Sequence, residues 1–187
     1  MPRLLTYLGI DQSYTACAVI TYTPSTGNVT ENVYDFSPVQ AGRGPQRLEY
    51  IHSTLRAHFA QVHQTSAVAR ICQEGYAYGS KFHREELGEL GGVLGLALVQ
   101  TFPPRLLHTV APSAVKKYAT GSGRADKDKM LLAVYKRWGY EATGHDAADA
   151  YVLARIAVDL DAEQSPALTF QAEVLASIRN PKRHNGK

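Results

Sequence analysis

The fold is decided by the stretch Tyr7-Leu8-Gly9-Ile10-Asp11-Gln12-Ser13-Tyr14-Thr15. Its apolar residues, and the β-rich run that resumes at Ala16, predict a β-strand that ends on a carboxylate. Gly9 inside the strand predicts the close approach of another backbone or of a ligand. Asp is a poor strand former, so Asp11 either caps the turn to the next strand or takes part in chemistry. Whether other carboxylates reach the same place decides between these two interpretations.

Length and composition favour one globular domain with a short extension. The chain has 187 residues, of which 44% are hydrophobic, enough for an ordinary core. We expect one domain over 1–160 and a C-terminal extension over 161–187, with one helix and a basic end. The longest apolar run, Val93 to Val99, is too short for a membrane span. With no leader visible, we expect an intracellular protein in which Cys17 and Cys72 are buried and reduced.

Positive charge is concentrated in one block of the chain. The net charge is +3, yet eight basic and only two acidic residues lie between Arg105 and Arg137, so the remainder is net negative. A basic block beside an acidic remainder indicates a polyanionic partner held on one surface. A solvated helix face is the alternative interpretation of the same block.

The first half of the chain predicts an antiparallel meander, then a helix, then a parallel strand. Strands are predicted over Thr15 to Tyr22 and Val29 to Phe36, and an amphipathic helix begins at Pro45. The strand from Ala67 to Cys72 runs into a second acid, Glu74. A strand that follows a helix in this way is expected to lie parallel to the first strand, so that Asp11 and Glu74 share one sheet edge.

The second half predicts mainly helices. Apolar spacing predicts a helix from Glu86 to Gln100, whose many glycines require close packing against the core or another subunit. Further predicted elements are a strand over Leu106 to Val110 and helices over 112–118, 126–138 and 167–178. The fold class is therefore α/β, with a mixed sheet of three antiparallel strands followed by parallel ones, flanked by helices.

A second pair of acids lies in the stretch Gly144-His145-Asp146-Ala147-Ala148-Asp149-Ala150. On a helix, Asp146 and Asp149 share one face among small alanines, which leave room for a ligand. Acids in a first helical turn also complement the helix dipole, which explains one Asp but not both. Together with Asp11 and Glu74 they would repel one another unless divalent cations such as Mg²⁺ neutralised them.

These motifs resemble the RuvC family of Holliday-junction resolvases from about Leu5 to Ile156. The resemblance implies an RNase H-like fold and a homodimer formed through the helix from Glu86 to Gln100. It implies paired, symmetric, Mg²⁺-dependent nicks in a four-way DNA junction, with 5′-phosphate and 3′-hydroxyl ends, and Mn²⁺ is expected to substitute for Mg²⁺. The metal-binding catalytic acids, serving two ions per active site, would be Asp11, Glu74, Asp146 and Asp149.

The resemblance also implies residues that bind DNA. Lys116 and Lys127 match family lysines that bind the junction and the scissile phosphate, with Lys117 and Lys129 as alternatives at each position. Arg124 lies in the same basic block. The aromatic residue that stacks on bases would be Tyr76 or Tyr78, in an exposed loop that also carries Lys81.

The sequence departs from bacterial family members in one motif. They usually read Asp-Pro-Gly where this chain has Asp11-Gln12-Ser13, a variant similar to phage-type relatives that accept forks and flaps. His145 is an added candidate, either for chemistry or for packing at the helix entry. We expect action in the cytoplasm of a bacterial cell or of a phage-infected host. A broader branched-DNA or RNase H-like nuclease and a non-cleaving junction-binding protein remain alternatives. An actin-like ATPase is a poor match, because that fold needs two similar lobes and the sequence shows no second copy.

Overall fold

The computed structural model describes residues 3–75, 84–162, 166 and 168–180. The strands are β1 (Leu5–Gln12), β2 (Ala16–Thr23), β3 (Asn28–Asp35), β4 (Ala67–Glu74) and β5 (Leu107–Val110). The helices are α1 (Pro38–Ala41), α2 (Gly44–Thr65), α3 (Arg84–Thr101), α4 (Pro112–Thr120), α5 (Lys127–Trp138), α6 (His145–Asp161) and α7 (Thr169–Arg179). A 3₁₀ turn over Pro104–Leu106 precedes β5.

The five strands form one mixed sheet in the order β3-β2-β1-β4-β5. The pairs β1–β2 and β2–β3 are antiparallel, whereas β1–β4 and β4–β5 are parallel. This confirms the predicted meander followed by parallel strands. β1 lies at the centre of the sheet, so its carboxyl end is flanked by strands on both sides.

Helices cover both faces of the sheet. Leu8 and Ile10 of β1 pack with α2 and α3 on one face, whereas Tyr7 lies on the opposite face with α4 to α7. This alternation follows from the two-residue period of a strand. It places Gly9 and Asp11 on the same side as Tyr7, beneath α6.

Two short elements differ from the sequence prediction. The four-residue α1 precedes the helix in a stretch for which no element was predicted, and the 3₁₀ turn includes Leu106, which was predicted as the start of β5; an element of one turn carries no periodic pattern. Arg47 at the start of α2 is only 5% exposed and donates to the carbonyl oxygens of Phe36 and Tyr14. It therefore ties α2 to the end of β3 and to the β1–β2 turn.

The predicted C-terminal helix is present as α7. Val174 and Leu175 are buried in the same core as α4 and α6, so this part of the 161–187 extension packs onto the domain; the division at residue 160 stays a prediction. The predicted free, buried state of Cys17 and Cys72 is confirmed. Among the described helices, none combines the length and the apolar character needed to cross a membrane.

Candidate active site

The first two acids lie side by side at the carboxyl ends of β1 and β4. The parallel register pairs Ile10 with Gln73, so the next residue on each strand is Asp11 or Glu74. Asp11 is only 5% exposed, and its carboxyl group shares a side-chain hydrogen bond with Glu74. The predicted meeting of the two acids at one sheet edge is confirmed.

Asp11 does not cap the turn between β1 and β2. It is paired with Ala18 inside the ladder, whereas Ser13 makes the turn. The amide of Ser13 donates to the carbonyl oxygen of Ala16 at 2.8 Å, and the amide of Ala16 donates to Ser13 Oγ at 3.1 Å. The turn-capping alternative for Asp11 is therefore wrong, and its burial calls for another explanation.

The second pair of acids reaches the same edge because α6 lies unusually close to β1. A Cβ built on Gly9 would lie 1.9 Å from the Ala150 carbonyl oxygen and 2.3 Å from the Ala154 nitrogen. Ala147, Ala148 and Ala150 are buried with almost no exposed surface. Small side chains on both elements thus let the first turns of α6 carry Asp146 and Asp149 to the strand ends.

The electrostatics of the two strand acids show that all four carboxyl groups act on one another. Burial raises the pKa of Asp11 well above its usual range, and the charge of Glu74, their hydrogen bond, and the charges of Asp149 and Asp146 raise it further. Burial also raises the pKa of Glu74, with opposing contributions from Asp11, which lowers it through the hydrogen bond, and from Lys116. A cluster of this kind binds protons or cations in preference to remaining fully charged.

Asp149 connects the acids to the basic residues. Burial raises its pKa to about 6, while the charge of Lys116 lowers it and that of Asp146 raises it. Lys127 and His145 lower it to a smaller extent. Lys116 on α4 and Lys127 on α5 therefore both border the acidic cluster.

The alternative lysines are engaged elsewhere. Lys117 Nζ lies 2.6 Å from the Glu173 carboxylate on α7, and Lys129 Nζ lies 2.9 Å from Asp126, the N-cap of its own helix. Neither is among the largest contributors to the pKa of Asp11, Glu74 or Asp149. Lys116 rather than Lys117 therefore lies next to the acids, and so does Lys127 rather than Lys129.

The donor set suits a hard divalent cation. Within the described ranges, no three His, Cys, Asp or Glu side chains stand in the arrangement of a formed metal site. Four carboxylates nevertheless act on one another here, and the buried oxygen Asp149 Oδ1 has no hydrogen-bond partner. Carboxylate oxygens are the ligands that Mg²⁺ and Mn²⁺ prefer. Asp11, Glu74, Asp146 and Asp149 are thus the residues that could hold such an ion.

The remaining predicted site residues fall into three groups. His145 is half-buried at the start of α6 with Nδ1 unpaired, so it borders the cluster without a fixed hydrogen bond. Arg124 is exposed in the α4–α5 loop. Tyr76, Tyr78 and Lys81 lie outside the described residues, as do the basic residues after Asn180.

One site residue was not predicted from the sequence. Gln12 is 8% exposed, its Nε2 donates to the Glu74 carbonyl oxygen at 3.4 Å, and its Oε1 is buried without a partner. It joins the ends of the two strands that carry Asp11 and Glu74. The available signal was a polar residue at the last position of a buried strand.

Comparison with known proteins identifies the family. The family model for crossover junction endodeoxyribonuclease RuvC matches residues 7–157. A RuvC from Nocardia farcinica is 28% identical over 154 residues, which cover 79% of this chain and 77% of the relative.

Solved structures agree with this match. The structure of Thermus thermophilus RuvC has a TM-score of 0.61 at 20% identity, covering 80% of this chain and 90% of its own. The same enzyme in complex with a Holliday junction substrate has a TM-score of 0.60 at 19% identity, covering 82% and 91%. The shared mixed sheet and flanking helices confirm the predicted RNase H-like fold. The chain therefore belongs to the RuvC family of crossover junction endodeoxyribonucleases.

Proposed function

We propose that the chain is a metal-dependent, structure-selective DNA endonuclease that resolves four-way junctions by paired, symmetric nicks. The observation that carries this proposal is the convergence of Asp11, Glu74, Asp146 and Asp149 beside Lys116. Four acids buried against one another need cations, and a neighbouring lysine supplies a contact for a phosphate. Holliday junction binding by the Thermus relative supports the choice of substrate.

The chain's own residues have separable roles in this proposal. The four acids hold two Mg²⁺ or Mn²⁺ ions, and Lys116 and Lys127 orient the scissile phosphate by direct charge contact. Bound divalent ions supply the positive charge that lowers the pKa of the attacking water and stabilises the leaving oxygen. The buried alanines and Gly9 keep the acids on rigid elements at the sheet edge. The products have 5′-phosphate and 3′-hydroxyl ends.

The wider basic block binds the DNA backbone. Arg124, Lys127 and Lys129 lie on or just before the first turn of α5, where they are exposed. Lys117 is tied to Glu173 through a partly exposed ion pair, which DNA phosphate can replace. Tyr76, Tyr78 and Lys81 are proposed as further contacts with the junction. Such backbone contacts make binding depend strongly on salt.

A homodimer forms through α3 in this proposal. Leu90, Leu94 and Leu98 are buried against α2, which leaves the opposite face of α3 outward. That face carries glycines at 88, 92 and 95, where an added Cβ would meet nothing within 4 Å, beside the half-exposed Leu96 and Val99. A second α3 can therefore approach closely, and two copies supply the two active sites that paired nicks require.

We place the enzyme's action in the cytoplasm of a bacterial or phage-infected cell, where its DNA substrate is found.

The decisive experiment is cleavage of a labelled synthetic four-way junction beside a fork and a linear duplex. Each substrate is incubated in Mg²⁺ and in EDTA, with wild-type protein and with Asp11→Asn. Symmetric nicks in the junction that are lost in EDTA and in the variant support the proposal. Binding without cuts in any divalent metal would make this a branch-binding protein, and equal cutting of all three substrates would make it a general nuclease.

A further inference from the structure

The outer strand β3 holds the loop that leads into α6. The carboxylate of Glu31 accepts hydrogen bonds from two hydroxyl groups, Tyr140 Oη on one oxygen and Thr143 Oγ1 on the other. Glu31 lies on the α6 side of β3, as does Val29, which packs against the core on that face. The partners are more than a hundred residues away in the sequence, so these bonds join two separate parts of the fold.

The loop over 140–144 is also held by packing, since Tyr140 and Ala142 lie against the core. α6 begins after Gly144 without a side-chain N-cap, and α5 ends at Gly139 in the left-handed conformation. Tyr140 stacks on Tyr151 of α6 with ring centroids 4.1 Å apart and planes 13° apart. Glu31 and this stacking contact together hold the loop between β3 and α6.

The held loop ends directly at the acidic cluster. Thr143 is three residues before Asp146, and both residues line one surface depression together with Lys127, His145 and Val33 of β3. Glu31 is not among the largest contributors to the pKa of Asp11, Glu74 or Asp149. Its hydrogen bonds to Tyr140 and Thr143 link it to the site through the loop.

We infer that Glu31 is a positioning residue that sets the entry of α6, and with it the placement of Asp146 and Asp149, through its hydrogen bonds to Tyr140 and Thr143. The inference rests on the proposed function of these two acids. Two hydrogen bonds to one carboxylate fix both the position of the loop relative to β3 and its direction. Charge-assisted bonds of this kind are stronger than neutral ones.

The test compares Glu31→Ala with Glu31→Gln, which keeps one acceptor oxygen, and with Glu141→Ala, which removes an exposed acid from the same loop. We expect Glu31→Ala to lower single-turnover junction cleavage about tenfold and to raise the Mn²⁺ concentration needed for half-maximal binding several-fold. Junction affinity measured in EDTA should stay within about twofold of wild type, because phosphate contacts dominate it. Glu31→Gln should give a cleavage rate and a Mn²⁺ requirement between those of the wild type and Glu31→Ala. Glu141→Ala should match the wild type in both.

Two further measurements separate positioning from general stability. Hydrogen–deuterium exchange of metal-free protein should be faster over 139–149 in Glu31→Ala, with the strands unchanged. In a Tyr140→Phe/Thr143→Val background, adding Glu31→Ala should lower cleavage no further, because the hydrogen-bond partners of Glu31 are already absent. Wild-type exchange and cleavage in Glu31→Ala would overturn the inference. Failure of the wild type itself to cut any junction would overturn the proposed function. Hydrogen–deuterium exchange would still test whether Glu31 holds the loop that leads into α6.

Discussion

Gly9 in the central strand lies so close to Ala150 in α6 that a Cβ at Gly9 would stand 1.9 Å from the Ala150 carbonyl oxygen. Because the Cβ position is fixed by the Gly9 backbone and the oxygen belongs to the Ala150 backbone, no side-chain rotation relieves that contact. We predict that Gly9→Ala lowers the free energy of unfolding by at least about 2 kcal/mol, since overpacking a rigid core forces backbone shifts. It should also reduce cleavage in the protein that remains folded.

Urea unfolding checks this prediction, with Gly144→Ala as the matched control. Gly144 has an extended backbone, and a Cβ added there would meet nothing within 4 Å, so its substitution should cost no more than about 1 kcal/mol, the ordinary loss when Ala replaces Gly at an N-cap. Equal stability of the two variants would show that α6 can move away from β1 at little cost.

Asp11→Asn should separate activity from stability. The side chain is buried among other acids, so an uncharged isostere removes repulsion. We predict loss of detectable cleavage, junction affinity within about threefold of wild type, and a metal-free protein more stable than wild type near neutral pH. The exposed Glu49→Gln on α2 is the control and should change none of the three quantities. Cleavage by Asp11→Asn would remove this residue from the mechanism.

The stability of the metal-free protein should decrease as pH rises. The folded-state pKa of Asp149 is raised to about 6, above the unfolded value near 4, so the folded state binds more protons between these values. As the pH rises through this window, the contribution of Asp149 to the free energy of unfolding falls by about 2–3 kcal/mol, and it stays low at higher pH. Unfolding in EDTA at about pH 4.5 and about pH 7.5 measures the change, which Asp149→Asn should reduce. Addition of Mg²⁺ should restore stability mainly at the higher pH.

Lys116→Met should raise the pKa of the acids it borders. Its charge lowers the pKa of both Glu74 and Asp149, so its removal makes their protons harder to lose. We predict that the acidic limb of the pH–rate profile moves to higher pH, with a lower maximal rate. Lys117→Met, one residue along α4 but paired with Glu173, is the control and should leave the acidic limb in place. Identical shifts in the two variants would contradict the assignment of Lys116 to the site.

Gly92→Arg should produce a monomer. Gly92 lies in the middle of the outward face of α3, where a long charged side chain blocks close approach of a second helix. Sedimentation equilibrium measures the change, with Ala57→Arg on the exposed surface of α2 as the control. We expect the control to remain dimeric. A wild-type protein that is already monomeric while cutting both strands of a junction would refute the proposed dimer.

Sequence patterns were sufficient for the parts of the site that follow backbone rules. The meeting of Asp11 and Glu74 follows from two parallel strands that end together, and the helical spacing of Asp146 and Asp149 places both on one face. Gly9 signalled the close approach of another backbone, whereas the alanines around the acids, interpreted as room for a ligand, are buried in the packing of α6. These features depend on local period and residue size, which a sequence states directly.

Side-chain direction could not be obtained in the same way. Lys116 and Lys117 are neighbours on one helix, and which of them meets the acids depends on the rotation of α4 about its axis. That rotation is set by packing of Val115 and Tyr118 into the core. Glu31 was equally hidden, because one acid on an outer strand resembles any solvated residue until the distant loop of Tyr140 and Thr143 is in place.

The distribution of the four acids along the chain has a consequence for biosynthesis. Asp11 emerges from the ribosome early, whereas Asp146 and Asp149 follow only after both central strands and the basic helices have been made. Until α6 is made, its cover over β1 at Gly9 is missing, and the site has two acids rather than four. In the proposed mechanism, a chain that lacks α6 therefore leaves DNA uncut.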